Sequence, residues 1–594
     1  MSRRDDSLTD AQLAKMRAEW DDAHDFDPRD PLFGLTREEL GGPKLSRRAA
    51  LRLFAAAGTL TAAHLVPSFG IPNARAQSGG HLRCGWANVG EISTLDPAKM
   101  NQVLQFQITS NVLSGLMHLD AQFVPYGDIA ENWTISPDGK EYVFKLREGV
   151  KFHNGDAFTA KDVVFTYNRS KNKDISFHYR VLDNVLACEA LNDYEVKLVL
   201  GQPQASLLTK TLQRSFGRAM TIVSERALKE MGDAAYGLRP VGTGPFKVTF
   251  HELGQGVILE RNADFWDPER PKLDKVTIKP IADAEPMAAA IEAGDVDLIG
   301  GQGGIALELL DRFEQNADLT VVTTPGAGFE AVWMNPHREP FVVSDFNKPV
   351  EELLKEKGFK VRLAIAKALD RERFLKQASF GRGAPSYGSI NQAMGFFFDK
   401  KLGEESMQRD DVEAARKLLA EAGYPNGEGF PKLTISASTQ NRRNLQVIAN
   451  NLKRSLNIDI DVATREGTVS LEEFLSMNFD MKLLGSGGDY DPDDAVVDWM
   501  QTASKFNGRK RDPSMKFGYF SEKRADELIE AQQFEVDPAK RKAMVQEANR
   551  ITSDKVAAAF LYHPVDRMVF RKNVNYPDSA RVPGLVDMDQ ITLS

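Results

Sequence analysis

AENWTISPDGKEYVFKLREGVKFHNGDAFTAKDVVFTY, residues 130 to 167, carries two structural periods in succession. Between 133 and 152 apolar and polar residues alternate, so that Tyr142, Phe144 and Leu146 fall on one face, as a half-buried strand requires. Asp138-Gly139 interrupts the alternation, a pair suited to a two-residue type I′ turn, and the stretch predicts a β-hairpin. The period then becomes helical. Thr159 stands three residues before Asp162, the spacing at which each side chain reaches the other's backbone N–H. A helix is therefore expected to start at Ala160, with Val163, Val164 and Tyr167 on one side. Strand and helix patterns alternate in this way along the chain, which predicts an α/β (α+β) protein.

Two more helices are expected at VRLAIAKALDRERFLKQASFG (361–381) and DVEAARKLLAEAGYP (411–425), the first ended by Gly381, the second by Gly423 and Pro425. At 594 residues the chain exceeds one hydrophobic core, so two or more domains are expected. Its net charge is −9, and residues 77–594 hold no basic cluster beyond Arg509-Lys510-Arg511, so nucleic acid is set aside as a partner. Only Cys84 and Cys188 occur, which excludes a disulfide framework and leaves open one bridge or two free thiols.

Residues 1–45 are polar, with seven Lys/Arg against eleven Asp/Glu, and read as a disordered leader. Arg47-Arg48 then precedes a weakly apolar run from Leu53 to Val66, shorter than the roughly 20 residues a membrane-spanning helix needs. Ala74-Arg75-Ala76 offers small residues where a signal peptidase cuts. The segment 46–76 resembles a bacterial twin-arginine signal, although Leu51 brings a bulky residue later than that pattern prefers. Export to the periplasm is the expectation, with the mature chain starting at Gln77.

Five stretches together resemble the solute-binding proteins of the dipeptide, oligopeptide and nickel ABC importers: ISTLDPAK (92–99), the 130–167 segment, VGTGPFKV with ERNADFWD, MNPHREPF leading to VRLAIAKALDRERF, and ARKLLAEAGYPNGEGFPKLTI. The second of these alone is strongly specific. The resemblance implies a two-lobed periplasmic binding protein fold with two crossover hinges. The larger lobe would hold 77–325, with a subdomain near 113–230 and residues 561–594 returning to it, and 326–560 would form the second lobe. TTPGAG (323–328), with Pro and two Gly after a strand, suits a crossover. It implies too that a solute sits between the lobes and is enclosed by hinge closure, and that the partners are this small molecule or short peptide and the transmembrane subunits of an ABC permease, the binding protein itself being a monomer.

GSGGDYDPDDAVVDWM (485–500) sets a glycine run beside clustered carboxylates. In peptide-binding relatives an Asp of the matching Asp-Tyr loop pairs with the ligand ammonium, which nominates Asp489, with Asp491 as the alternative and Tyr490 beside them; a solvated acidic loop is the plain reading. Arg442 and Arg443 fall in what reads as the first turn of a helix, where cations oppose the dipole and invite an anion. Dipeptide-binding relatives use an Arg near this place for the peptide carboxylate; otherwise both face solvent. Trp333, Tyr387, Trp499 and Tyr490 are candidate cleft aromatics or core residues. Gly242 and Gly244 in VGTGPF would either lend backbone groups to an extended ligand or merely turn the chain.

No enzyme chemistry is expected and no cofactor. Gly-x-Ser-x-Gly, His-Glu-x-x-His and a phosphate loop are all missing from the sequence. Gly326-Ala327-Gly328 fits part of a dinucleotide pattern but is bracketed by Pro325 and Pro336. The histidines beyond residue 76 are scattered, so no zinc site is expected, and Asp489, Asp491 and Asp493 imitate a calcium loop whose sixth and twelfth positions, Asp494 and Met500, are wrong. The favoured solute is a short peptide or peptide-like zwitterion; metal chelates, opines, oligosaccharides and glutathione are alternatives within the family. A sensor or chaperone of the same fold and a secreted hydrolase are the rivals from other classes.

Overall fold

The computed structural model describes residues 80–594 except 88–91, 101, 122, 215–219, 301–304, 490, 505, 508–516 and 583. The expected leader and signal segment lie outside the described residues. The chain builds two large sheets. A seven-stranded sheet has the order Leu319–Pro325, Val565–Arg571, Leu298–Ile299, His81–Trp86, Lys275–Pro280, Gly256–Arg261, Phe246–Glu252. A six-stranded sheet has the order Ala384–Pro385, Ala559–His563, Phe329–Met334, Met481–Ser486, Leu433–Ser438, Ile460–Arg465. Each has its own hydrophobic core, one around Leu82, Trp86, Phe246 and Ile278, the other around Trp333, Ile365, Phe474 and Phe560.

A four-stranded antiparallel sheet, Ala130–Ile135, Glu141–Leu146, Glu195–Leu200 and Val185–Asn192, forms a third unit with its own core. Tyr142, Phe144 and Leu146 are buried in it, and the helix Ala160–Lys171 begins with the Thr159–Asp162 capping box. The hairpin turn differs from the expected type I′. Such a turn needs positive φ at both central residues, and here only Gly139 has it (71°). Pro137 takes the position after Ser136, whose carbonyl accepts the Gly139 N–H at 2.9 Å, so the loop is longer by two residues.

The expected helix at 361–381 is two helices, Lys357–Ala368 and Arg371–Ala378. Asp370 separates them in a left-handed conformation and caps the second by accepting the Arg373 N–H. The helix Val412–Glu421 is capped by Asp411 and followed by Gly423 at φ 92°, as its sequence predicts.

The chain crosses between the large sheets twice, at adjacent points. Leu319–Pro325 runs through 326–328 into Phe329–Met334, and Ala559–His563 runs through Pro564 into Val565–Arg571. The outgoing and returning segments pair antiparallel on both sides of the crossing, Pro325 with Val565 and Glu330 with Tyr562, and the Gly326 N–H donates to the Pro564 carbonyl at 2.9 Å. The connection is one two-stranded ribbon. The return expected at 561 falls inside the strand Ala559–His563 of the six-stranded sheet, so the crossing itself lies at Pro564. Cys84 and Cys188, in different sheets, are both free and buried.

Candidate ligand-binding site

Leu433–Ser438 and Met481–Ser486 are parallel, and their carboxyl ends point at the ribbon; solutes commonly bind beyond such ends in open α/β sheets. Glycine shapes this region. A side chain at Gly485 would overlap the Phe329 carbonyl and one at Gly328 the Ser486 carbonyl, so the crossing packs backbone to backbone against the loop that carries the acidic residues.

Within that loop the carboxylates have different partners. Asp491, 1 % exposed, accepts two hydrogen bonds from Arg541, at 2.9 and 2.5 Å, and one from Thr209 Oγ1 at 2.7 Å. It also accepts the Asp493 N–H at 3.1 Å, capping the short helix Pro492–Val496. Burial, the largest single influence, raises the Asp491 pKa, but the Arg541 charge together with the hydrogen bonds from Arg541, Thr209 and the Asp493 N–H outweighs it and holds the carboxyl below its usual range. As an alternative anchor for a ligand ammonium Asp491 is thus corrected: its oxygens are committed to Arg541 and Thr209. Asp493 lies 3.3 Å from the same guanidinium and accepts from Gln532 at 2.7 Å. Asp489 is half-buried and lies 3.7 Å from Lys210 Nζ. Asp494 accepts the Ser486 hydroxyl; burial, then the charges of Asp498 and Asp489, push its pKa up to about 6. Tyr490 lies outside the described residues.

Thr209 and Lys210 belong to the segment Leu207–Thr211, a single π turn that follows the four-stranded sheet. Together with the Ala205 N–H, which donates to the Gln533 carbonyl at 2.8 Å, they tie the larger lobe to the second. Lys210 is half-buried, its side chain 33 % exposed; desolvation works against its charge, but Asp489, Asp498, Asp493 and Asp494 together hold the ammonium firmly protonated. Leu119 and Phe123 add apolar contact by packing into the second lobe's core.

Apart from Trp499, the other nominated residues do not converge on this loop. Trp333 is fully buried, stacks at 5.7 Å on Trp499 and donates its Nε1–H to the Leu484 carbonyl at 2.8 Å, so it is core rather than cleft wall. Trp499, 3 % exposed, belongs to the same aromatic stack but also borders a cavity beside the glycine run. Tyr387 opens on a different cavity, of about 670 Å³, with the Arg371 guanidinium 4.5 Å from its ring. Arg442 and Arg443 are exposed in the first turn of the helix Arg442–Leu456; Arg442 donates to Thr464 Oγ1 at 3.2 Å and Arg443 covers the Phe380 ring at 4.6 Å. Gly242 and Gly244 correct the expectation of free backbone groups. The Gly242 N–H donates to His153 Nδ1, the Gly242 carbonyl accepts the His153 N–H, and Gly244 donates to Val112 and accepts from Asn262.

Three functional candidates were not nominated by the sequence: Lys210, Arg541 and Glu330. Glu330 is the second residue of the strand after the crossing. As a residue it is half-buried, yet its Oε2 is enclosed and accepts no hydrogen bond from the protein. Desolvation pushes its pKa up to about 7. An acid whose folded pKa is raised costs nothing below its unfolded value near 4.5, then destabilises increasingly until pH passes 7. Glu330→Gln is therefore expected to leave stability nearly unchanged at pH 4 and to raise it by about 2–3 kcal/mol at pH 8. Urea unfolding of both proteins at the two pH values checks this, and a pH-independent difference would sink it.

Among the described residues no three His, Cys, Asp or Glu side chains are placed to hold a metal ion, and no helix is long and apolar enough to cross a membrane. Known proteins align with this architecture. The glutathione-binding protein GsiB of Escherichia coli (strain K12) is 30% identical over 338 residues, 56% of this chain and 60% of that protein, so the match spans less than two thirds of the curated relative. Among solved structures, HbpA2 from Haemophilus parasuis superposes with a TM-score of 0.71 at 21% identity, covering 87% of this chain and 100% of that one. The periplasmic binding protein DppA from Helicobacter pylori in complex with the peptide STSA gives 0.64 at 23%, covering 87% and 98%. Both are two-lobed, like this chain. Residues 124–508, more than half of the sequence, match the middle part of bacterial extracellular solute-binding proteins, family 5. With its two lobes, its double crossing and an acidic loop between them, the chain belongs to that family.

Proposed function

We propose that the protein is the substrate-binding component of an ABC importer. It captures a short peptide or peptide-like zwitterionic solute between its lobes and delivers it, unaltered, to the transmembrane subunits of a permease. The observation that carries this reading is the placement of the Asp489 carboxylate beside the ribbon, where one lobe's acidic loop meets Lys210 of the other. A carboxylate at such a boundary offers a ligand ammonium an ionic contact that strengthens as water is excluded. The family supports a binding role rather than catalysis, and GsiB, bearing the name of a glutathione-binding protein, supports a peptide-like solute. Native mass spectrometry of the protein purified from its own periplasm tests the reading. A retained peptide or amino-acid conjugate supports it; a retained sugar, metal chelate or chemically altered ligand overturns it.

Delivery requires export, and the twin-arginine-type segment 46–76 supplies the route in this reading. Replacing Arg47→Lys together with Arg48→Lys is expected to keep the protein in the cytoplasm with its leader attached. Fractionation with immunodetection checks this; undiminished periplasmic protein would exclude the twin-arginine route.

A further inference from the structure

Lys210 and Asp489 form an ion pair whose halves belong to different lobes, and the pair is loose. Nζ and Oδ2 stand 3.7 Å apart, where a hydrogen bond between an ammonium and a carboxylate spans about 2.7–2.9 Å. The segment that carries Lys210 is not slack. Thr209 donates to Asp491 at 2.7 Å and the Ala205 N–H to the Gln533 carbonyl at 2.8 Å, which pins this segment to the second lobe. Lys210 Nζ donates no hydrogen bond to any described residue, so its three N–H groups are available to an oxygen from outside. Each partner also has space beside it. Gly488, next to Asp489, borders a cavity of about 350 Å³, and Thr209, next to Lys210, borders another of about 360 Å³ walled by both lobes.

A solute that brings only an ammonium draws Asp489 away from Lys210 and gives the lysine nothing in return. One that brings an ammonium and a carboxylate together replaces one loose pair with two, ammonium on Asp489 and carboxylate on Lys210. Distance then selects among zwitterions. An ammonium nitrogen and a carboxyl carbon attached to the same carbon atom are about 2.5 Å apart, whereas the two ends of an extended dipeptide are about 6 Å apart. With the anchors at 3.7 Å, the first enters after a small separation of the pair. The second needs the anchors drawn several ångströms further apart, against the Thr209 and Ala205 bonds. We infer that Lys210 is a solute-binding residue, the carboxylate anchor opposite Asp489, and that the head group taken there is a free α-amino-acid group with ammonium and carboxylate on one carbon. The substrate class narrows to amino-acid derivatives and to peptides joined through a side-chain carboxyl. Ordinary α-peptides, whose first carboxyl is an amide, lose the Lys210 contact. This deepens the peptide-binding reading and rests on it.

Two dipeptides of identical composition and charge separate these cases: γ-L-glutamyl-glycine, with ammonium and carboxylate on one carbon, and α-L-glutamyl-glycine, with that carboxyl in the peptide bond. In calorimetric titration the exported protein is expected to bind the γ isomer at least about tenfold more tightly than the α isomer. Lys210→Met, which keeps the length of the side chain and removes its charge, should bring the two isomers within about threefold of each other by weakening the γ isomer. Asp489→Ala should weaken both. Should Lys210→Met fail to fold, the parent decides with a third probe, the γ isomer carrying an α-carboxamide, which must bind no more tightly than the α isomer. Equal affinity of the parent for the two isomers, or a γ preference that survives Lys210→Met, overturns the assignment of Lys210 and leaves the peptide-binding reading standing. Binding of neither isomer overturns both.

Discussion

Asp491→Ala is expected to lower the unfolding free energy by about 3–5 kcal/mol, because it strands a buried arginine. Arg541 gives Asp491 two hydrogen bonds, and its remaining carboxylate contact, Asp493 at 3.3 Å, is longer and already shared with Gln532. Removing the carboxylate also frees Thr209 and takes the cap from the helix Pro492–Val496. Asp491→Asn keeps the shape and one acceptor, so its loss should be smaller. Sign and pH follow from the depressed pKa: the stabilisation is present above the ordinary aspartate value and is lost as pH falls through the lowered one. Urea unfolding at pH 7 decides the matter, and a loss under about 1 kcal/mol for the alanine variant would mean that Arg541 finds other partners.

Asp489→Ala has the largest expected effect on binding. If this carboxylate grips the ammonium of an ammonium-bearing solute, its removal costs about 2–5 kcal/mol, a fall of tens- to thousands-fold in affinity. Lys210 bears on the size of the loss. At 3.7 Å it competes for the same oxygens, and in the variant its own half-buried charge loses the partner nearest to it. Calorimetry with alanyl-alanine measures the effect, and equal affinities for variant and parent would remove Asp489 from the site.

What the sequence made legible was local. The alternation at 142–146 and the Thr159–Asp162 spacing describe contacts a few residues apart, and both reappear as a buried strand face and a capped helix. The turn type was misjudged because Pro137 sits beside the Asp-Gly pair and selects a longer loop, and the helix at 361–381 was read as continuous because Asp370 keeps helical spacing while its side chain caps a new start. The site was harder for a physical reason. Asp491 meets Arg541 from 50 positions away and Thr209 from 282, and no pattern along the chain joins them. Lys210 and Glu330 look ordinary in sequence, one a lysine among leucines and threonines, the other an acid in an apolar strand. Only the fold shows the first facing four aspartates and the second enclosed without a donor. Trp333 was nominated for its ring, and its depth in the core could not be told from its type.

The paired crossing gives the molecule a redundancy against cleavage. A protease that cuts within 326–328 severs only one of two links; Pro564 still joins the halves, and the ladders from 319 to 325 and from 330 to 332 hold both cut ends against the uncut strand. Such a nicked protein should run as two pieces on a denaturing gel and as one particle on a sizing column. The two halves differ in continuity: the strands of the six-stranded sheet all lie between 329 and 563, whereas the seven-stranded sheet takes Val565–Arg571 from beyond that stretch and is assembled from two separate pieces of chain.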